Sequence, residues 1–498
     1  MQPSIILLII LVYFLVLIGI SALTGRGAGN EAFFLGNRRS PWFVVAFGMI
    51  GASLSGVTFI SIPGAVCGNQ FAYFQMVLGY LVGYGVIALV LLPLYYRLQL
   101  TSIYTYLRDR FGRSSYKTGA AFFLLSRIVG ASFRLYLVAI VLDRFVLGPL
   151  LGVELPFAVP VVITIALIWV YTWKSGIKTI IWTDTLQTAA MLVALVVAMY
   201  GIAEAMDTSV GGLLDQASAS SLSDWFFWED FSDRNHFLKQ FIYGALIAVA
   251  MTGLDQDMMQ KNLSCKSLKD AQKNVFSFSI ILVVVNLAFL FLGAFMFLYA
   301  DQFGIEMYLN SKGGVITDYI FPELALNEGL GMVVGISFII GLIASAYSSA
   351  DSALTALTTS FCVDILETEN RSEQDQLRIR KRVHLGMSAT LAVVILVFKA
   401  WNNDAVITGL FRIAAYTYGP LLGLYFFGLI SKRAVRDKWV PVVALTSIAL
   451  CIAFANYAPV WFPGYQVLFE VLMLNGGLTY LGLYLISIPQ SDPARELA

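Results

Sequence analysis

Within one apolar stretch the chain reads GLIASAYSSADSALTAL from Gly341 to Leu357. Ser345, Ser348, Ser349 and Ser352 stand at i, i+3, i+4 and i+7, so a helix sets four hydroxyls on one face. Thr355 and Thr359 continue the stripe, and Asp351 lies beside it, three residues from Ser348 and four from Thr355. Hydroxyls, backbone carbonyls and a carboxylate form the oxygen set that a hard cation such as sodium accepts. Serines alone also pack helices or bond back to the i−4 carbonyl. An aspartate in a helix otherwise built from Ala, Leu and Ile shifts the reading from packing toward ion binding.

Two other apolar stretches are interrupted. GASLSGVTFISIPGA, from Gly51 to Ala65, mixes small residues, hydroxyls and Pro63, which loosen a helical hydrogen-bond ladder. TGLDQDMMQKNL, from Thr252 to Leu263, sets Gly253 ahead of a polar run. Carbonyls freed at membrane depth are costly unless they line a cavity or coordinate something. The competing reading is tight helix packing through small residues. A third element, WTDTLQTAAML from Trp182, places Gln187 three residues after Asp184. That resembles a capping box at a helix start, and the same carboxylate is placed to serve the inner end of a cation path.

The elements that must position these groups are membrane helices. Of 498 residues, 58% are hydrophobic and only 13% charged, which excludes an ordinary soluble domain. A net charge of +1 gives no field for nucleic acid, and 36 Phe, 24 Tyr and 9 Trp exclude a disordered chain. Crossing a hydrocarbon core takes about 20 residues. Thirteen apolar runs qualify, near 3–22, 41–66, 71–96, 118–142, 157–173, 181–202, 237–255, 275–300, 330–359, 384–399, 404–430, 439–456 and 464–487. The first lacks a basic start and a small-residue cleavage site, so it reads as a retained helix. With the N-terminus outside, 24 of the 32 Lys and Arg fall in cytoplasmic segments, including Lys261 to Lys273, and the C-terminus lies inside. Outside connections near 203–236 and 301–329 carry acidic and aromatic residues and read as short surface helices or lids. Cys67, Cys265, Cys362 and Cys451 have no C-x-x-C spacing, so neither a disulfide nor a metal cluster is expected.

Five helices separate the first interrupted span from the second. That spacing predicts a five-plus-five inverted repeat with discontinuous helices and a binding site between the halves. The division it gives is a leading helix at 1–30, a first repeat at 41–202, an outside loop at 203–236, a second repeat at 237–430, two trailing helices at 439–487 and a cytoplasmic tail at 488–498.

In order along the chain, several motifs resemble the solute:sodium symporters, which include sodium–glucose, sodium–proline and sodium–sialic acid transporters. They are FFLGNRRSPWFVVAFGMIGASLSGVTFISIPGA, YLRDRFG from Tyr106, WTDTLQTAAML, GLDQDMMQKNL, SSADSA with CVDI behind it, and YTYGPLLGLYFFGLISKR from Tyr416. The resemblance runs from about Phe34 to Arg436. It implies the same inverted-repeat fold, with sodium as the co-transported ion. It places a principal sodium site on backbone carbonyls of Gly51, Leu54 and Ser345 and hydroxyls of Ser348 and Ser349. It carries an additional sodium site to Asp184, Ser348, Asp351 and Ser352, where the chain departs from the family by placing Asp351 at a hydroxyl position. That carboxylate strengthens a cation site, accepts a proton, or pairs with an arginine.

Substrate contacts implied by the resemblance fall on Ser55, Thr58, Tyr73, Gln75, Thr252 and Arg412. Arg127 and Arg134, seven residues apart on roughly one helical face, add two guanidinium groups. Three arginines in spans favour a carboxylate on the solute, which guanidinium matches bidentately. The alternative is an ion pair with Asp351 or Asp184, or snorkelling to an interface. The histidine and lysine that the sugar transporters use have no counterpart, with Thr58 at the former position. No H-E-x-x-H or G-x-S-x-G motif suggests an enzyme. The expected protein is a multi-pass symporter of the cell membrane for a small organic solute, with the bilayer around it and no obligate protein partner. Proton coupling and passive facilitation are the alternatives.

Overall fold

The computed structural model describes residues 3–24, 38–100, 102–152, 155–172, 177–309, 315–327, 329–368, 371–401 and 406–489. The start of the FFLGNRR motif and nearly all of the expected tail lie outside these residues, as do Arg26, Lys174, Lys312 and Arg495.

The described residues are mostly helical: α1 (Pro3–Thr24), α2 (Trp42–Ser53), α3 (Gly56–Asn69), α4 (Ala72–Arg97), α5 (Arg113–Arg144), α6 (Ala158–Thr172), α7 (Ile177–Ala205), α8 (Phe237–Gly253), α9 (Gln256–Leu263), α10 (Leu268–Phe303), α11 (Gly331–Ile365), α12 (Glu373–Trp401), α13 (Val406–Ile430), α14 (Val440–Trp461) and α15 (Glu470–Leu485). Every expected span coincides with a helix or a bent helix pair. Among the described residues, eight helices are long and apolar enough to cross a membrane, or up to ten with each bent pair taken as one span. Shorter apolar helices, Leu7–Ala22 and Ala158–Trp169, and the 16-residue α15 stand where the other three of the thirteen runs were drawn.

Burial separates centre from rim. The apolar window of Gly409–Ile430 is 72% buried and that of Asp437–Trp461 only 22%, so α13 is enclosed while α14 turns Leu445, Leu450 and Val460 outward, as a lipid-facing helix does. α4 and α8 pack backbone against backbone. A Cβ added at Gly79 would run into Phe241 O, and one at Gly244 into Met76 O. Such small-residue contacts substitute for a hydrophobic driving force that lipid does not supply.

Both interrupted stretches are broken helices. α2 and α3 meet at 55°, and the α8 and α9 pair at 67°. The loop before α8 carries a short surface helix, Val210–Ala219, and sets Trp225 edge-on against Phe71 and Phe74 where the chain passes from α3 to α4.

Candidate functional site

At the first break Leu54 (φ −83°, ψ 77°) and Ser55 (φ −76°, ψ 178°) leave helical geometry, so carbonyls in the last turn of α2 lose their usual donors. α11 passes the break and supplies replacements. Ser348 Oγ donates to Gly51 O at 3.1 Å and Ser349 Oγ to Ala52 O at 3.0 Å. Both hydroxyls also lie near Ser345 O, at 3.2 and 3.5 Å, while the Ser345 hydroxyl turns to Leu342 O at 2.9 Å. On the far side Gly51 N donates to Thr188 Oγ1 of α7 at 3.0 Å. A Cβ at Gly51 would collide with that hydroxyl, which explains the glycine. Gly51, Ser345, Ser348 and Ser349 thus form one buried cluster of carbonyl and hydroxyl oxygens, with Leu54 at the break beside it. Ala52 and Thr188 join the cluster although the sequence did not single them out.

Asp184 is not a helix cap. α7 begins seven residues earlier, at Ile177, so the Asp184 and Gln187 spacing is that of two neighbours inside a helix and not of a capping box. The Asp184 carboxylate is buried, and Lys261 Nζ of α9 lies 2.8 Å from its Oδ2. Lys261 therefore does not belong to a cytoplasmic loop. The chain re-enters the protein after the second break, and all eight residues of α9 are buried. Ser352 lies beside Asp184, and Asp351 Oδ1 accepts from Ser352 N at 2.5 Å, so Asp184, Asp351 and Ser352 belong to one region.

Next to the first cluster is a cavity bordered by Ser55 at the first break, Thr58 of α3, Tyr73 of α4, Arg127 and Arg134 of α5, and Thr252 of α8. Tyr80, Tyr84, Asn286 and Phe411 add to its wall. Gln75 and Arg412 do not border it. Gln75 ties down the loop before α8, donating to Asn235 O at 2.8 Å and accepting from Phe227 N at 3.0 Å. Arg412 is exposed on α13.

The two arginines differ in kind. Arg127 Nη2 bonds directly to Asp257 Oδ2, and its Nη1 stands 3.6 Å from Asp255 Oδ2. Asp255 also accepts from Tyr418 Oη at 2.6 Å and caps α9 through Asp257 N and Met258 N. The partners of Arg127 are thus the acids at the second break, not the Asp351 or Asp184 named as the alternative to a substrate contact. A bent α9 brings them in from 130 residues away, a contact that one-dimensional spacing does not encode. Arg134 is 6% exposed and makes none of the ion pairs seen among the described residues. Its Nε and Nη1 meet no hydrogen-bond partner. A buried guanidinium outside an ion pair is expensive, and a bound anion relieves that cost.

Known proteins match this chain along most of its length. The model of the sodium:solute symporter family covers residues 33–437. A sodium/sialic acid symporter of Proteus mirabilis is 24% identical over 94% of this chain and 91% of its own length. One from Aliivibrio fischeri is 25% identical over 88% of this chain and 85% of its own. The human sodium/iodide cotransporter is 26% identical over 83% of this chain and 64% of its own length. Among solved structures, a substrate-bound, outward-open Na+-coupled sialic acid symporter superposes with a TM-score of 0.80 at 19% identity, covering 98% of this chain and 99% of that one. A nucleobase-cation-symport-1 family transporter in a closed conformation gives 0.59 at 16% identity, covering 90% of this chain and 92% of that one.

Proposed function

Because this chain belongs to the sodium:solute symporter family, a family of sodium-coupled membrane transporters of small solutes, we propose that its solute carries a carboxylate and that Arg134 receives it. Sodium is the co-transported ion, and the chain is a multi-pass membrane symporter. The observation that carries the carboxylate is the contrast between the two pocket arginines: Arg127 is paired directly with Asp255 and Asp257, while Arg134 reaches the same cavity outside the ion pairs seen among the described residues, with Nε and Nη1 lacking a hydrogen-bond partner. Relatives named for sialic acid, iodide and monocarboxylates all move anions, which supports the reading.

Sodium binds among the carbonyls of Gly51, Leu54 and Ser345 and the hydroxyls of Ser348 and Ser349. The support is that the α2 break and the α11 serines already exchange hydrogen bonds there. The ion draws α2 and α11 together and completes the wall of the adjoining cavity through Ser55 and Thr58. Residues 41–202 and 237–430 form the two repeats that move against each other, with the N-terminus outside and the C-terminus cytoplasmic. Transport alternates access to the cavity between the two sides.

The test is a thermal-shift screen of the purified full-length protein in sodium and in potassium. Small carboxylic acids are compared with their amides and with neutral sugars. Stabilisation by acids alone, and only with sodium, is the expected result. Equal stabilisation by the amides overturns the carboxylate. Equal behaviour in potassium overturns sodium as the ion.

A further inference from the structure

Where α5 and α12 end lies a second cavity, of about 580 Å³, which shares no lining residue with the solute cavity. Arg144, the last residue of α5, and Lys399, two residues before the end of α12, both border it. Ring faces hold these cations. The Arg144 guanidinium lies 4.4 Å from the centre of the Tyr308 ring and 4.7 Å from that of Tyr319, and Lys399 Nζ lies 3.7 Å from that of Phe157. Neither takes part in the ion pairs seen among the described residues. An aromatic face attracts a cation without neutralising it, so both keep their charge for another partner. Asp143 adds one negative charge to the wall, and two positive groups against one negative leave a net +1. The remaining wall is largely apolar, with Tyr136, Ile140 and Leu155.

We propose that this cavity receives the phosphate of an anionic lipid headgroup. Cations at the ends of membrane helices ordinarily snorkel one by one toward the interface. Here two from different helices converge on one hollow, and its volume falls within the range of about 300–1,000 Å³ usual for small-molecule sites. The net charge of +1 matches one phosphodiester. Location selects a lipid over a soluble anion. Val162 of α6, seven residues after Leu155, and Val393 of α12, six before Lys399, are each 59% exposed, so the helices below the cavity turn apolar side chains outward. α6 and α12 pack together there, and an acyl chain can lie along them while its headgroup sits in the cavity. Tyr319 links the site to the first break. Its neighbour Asp318 accepts from Ser61 Oγ of α3 at 2.6 Å, so a filled cavity steadies the segment before α11 against the broken helix.

The experiment uses the full-length protein, delipidated in mild detergent and free of sodium and solute, so its outcome does not depend on the symport proposal. Melting temperature is followed as phosphatidylglycerol, phosphatidylcholine or water-soluble glycerol phosphate is added. Parent, Arg144→Gln, Lys399→Gln and Leu155→Trp are compared, the last filling the cavity without altering a charge. Phosphatidylglycerol should stabilise the parent more than phosphatidylcholine does, and glycerol phosphate should have no effect. Loss of either cation should weaken the apparent affinity for phosphatidylglycerol roughly fivefold, and Leu155→Trp should abolish the preference. Equal stabilisation of the parent by the two lipids overturns the proposal. Stabilisation by glycerol phosphate as strong as that by phosphatidylglycerol overturns the lipid and leaves a soluble anion as the occupant. Variants that keep the parent's preference overturn the assignment to this cavity. Because the parent comparison decides by itself, a variant that fails to fold does not rescue the idea.

Discussion

The ammonium of Lys261 stands 2.8 Å from Asp184 Oδ2, with both side chains shut away from solvent. Lys261 Nζ is also 3.9 Å from Asp257 Oδ1, and Asp257 holds Arg127. One chain of charges therefore runs from α7 through α9 to α5, and the short helix after the second break is its hub. Motion of α9 changes the surroundings of Asp184 and Arg127 together, which ties the Asp184 region to the wall of the cavity.

Replacing Lys261 by Met leaves Asp184 buried and unpaired. Breaking such a pair from one side typically costs about 3–5 kcal/mol, whereas removing both charges is close to neutral. Melting temperature in potassium should fall sharply for Lys261→Met and recover in the double variant with Asp184→Asn. Added sodium should restore Lys261→Met more than it stabilises the parent. A single variant as stable as the parent would show that the pair carries little.

Ser348→Ala and Ser349→Ala each remove one oxygen from the cluster at the α2 break while favouring the helix. The loss also orphans Gly51 O or Ala52 O. At about 0.5–1.5 kcal/mol per hydrogen bond, half-saturation by sodium should rise roughly 2- to 10-fold in each. The measurement is sodium-dependent thermal stabilisation or uptake. Unchanged sodium dependence in both variants would remove the principal site from this cluster.

Much of this was legible in the chain. Gly51 to Ala65 announced its break by composition, and the serine stripe announced its face by spacing alone. Lys261 was not legible, because a lysine after an apolar run looks the same in a loop as in a helix that turns back inward. Asp184 was read as a cap because an i, i+3 pair looks alike at the start and in the middle of a helix. The partners of Arg127 were missed for a different reason: the 67° bend that delivers Asp255 and Asp257 is a tertiary event. Gln75 sits on the right helix but at the wrong level, and the loop before α8 claims its amide.

Asp351→Ser returns a hydroxyl to a position where the chain carries a carboxylate. A solute with one negative charge moved with one sodium is electroneutral and draws nothing from the membrane potential. A second cation adds about 2.3 kcal/mol per 100 mV. Loss of Asp351 should therefore make transport of an anionic solute less electrogenic, lowering the charge carried per solute in proteoliposomes held at a set potential. If proton binding is its role instead, the pH profile flattens while the sodium count stays. If charge ratio and pH profile both match the parent, Asp351 is structural.

Arg127 and Arg134 border the same cavity and should fail differently. Arg134→Gln removes a buried charge that stands outside any direct ion pair among the described residues, so the protein should melt no lower, while stabilisation by carboxylic acids drops by at least tenfold in affinity and sodium binding is retained. Arg127→Gln abandons Asp255 and Asp257 at the hub, so its melting temperature should fall by an amount equivalent to about 3–5 kcal/mol, and sodium and solute binding should weaken together. Three measurements on each variant suffice: melting temperature in potassium, the shift produced by sodium, and the further shift produced by an acid. If Arg134→Gln destabilises the protein as Arg127→Gln does and leaves acid binding intact, the guanidinium is a packing element and a neutral solute becomes the better reading of the cavity.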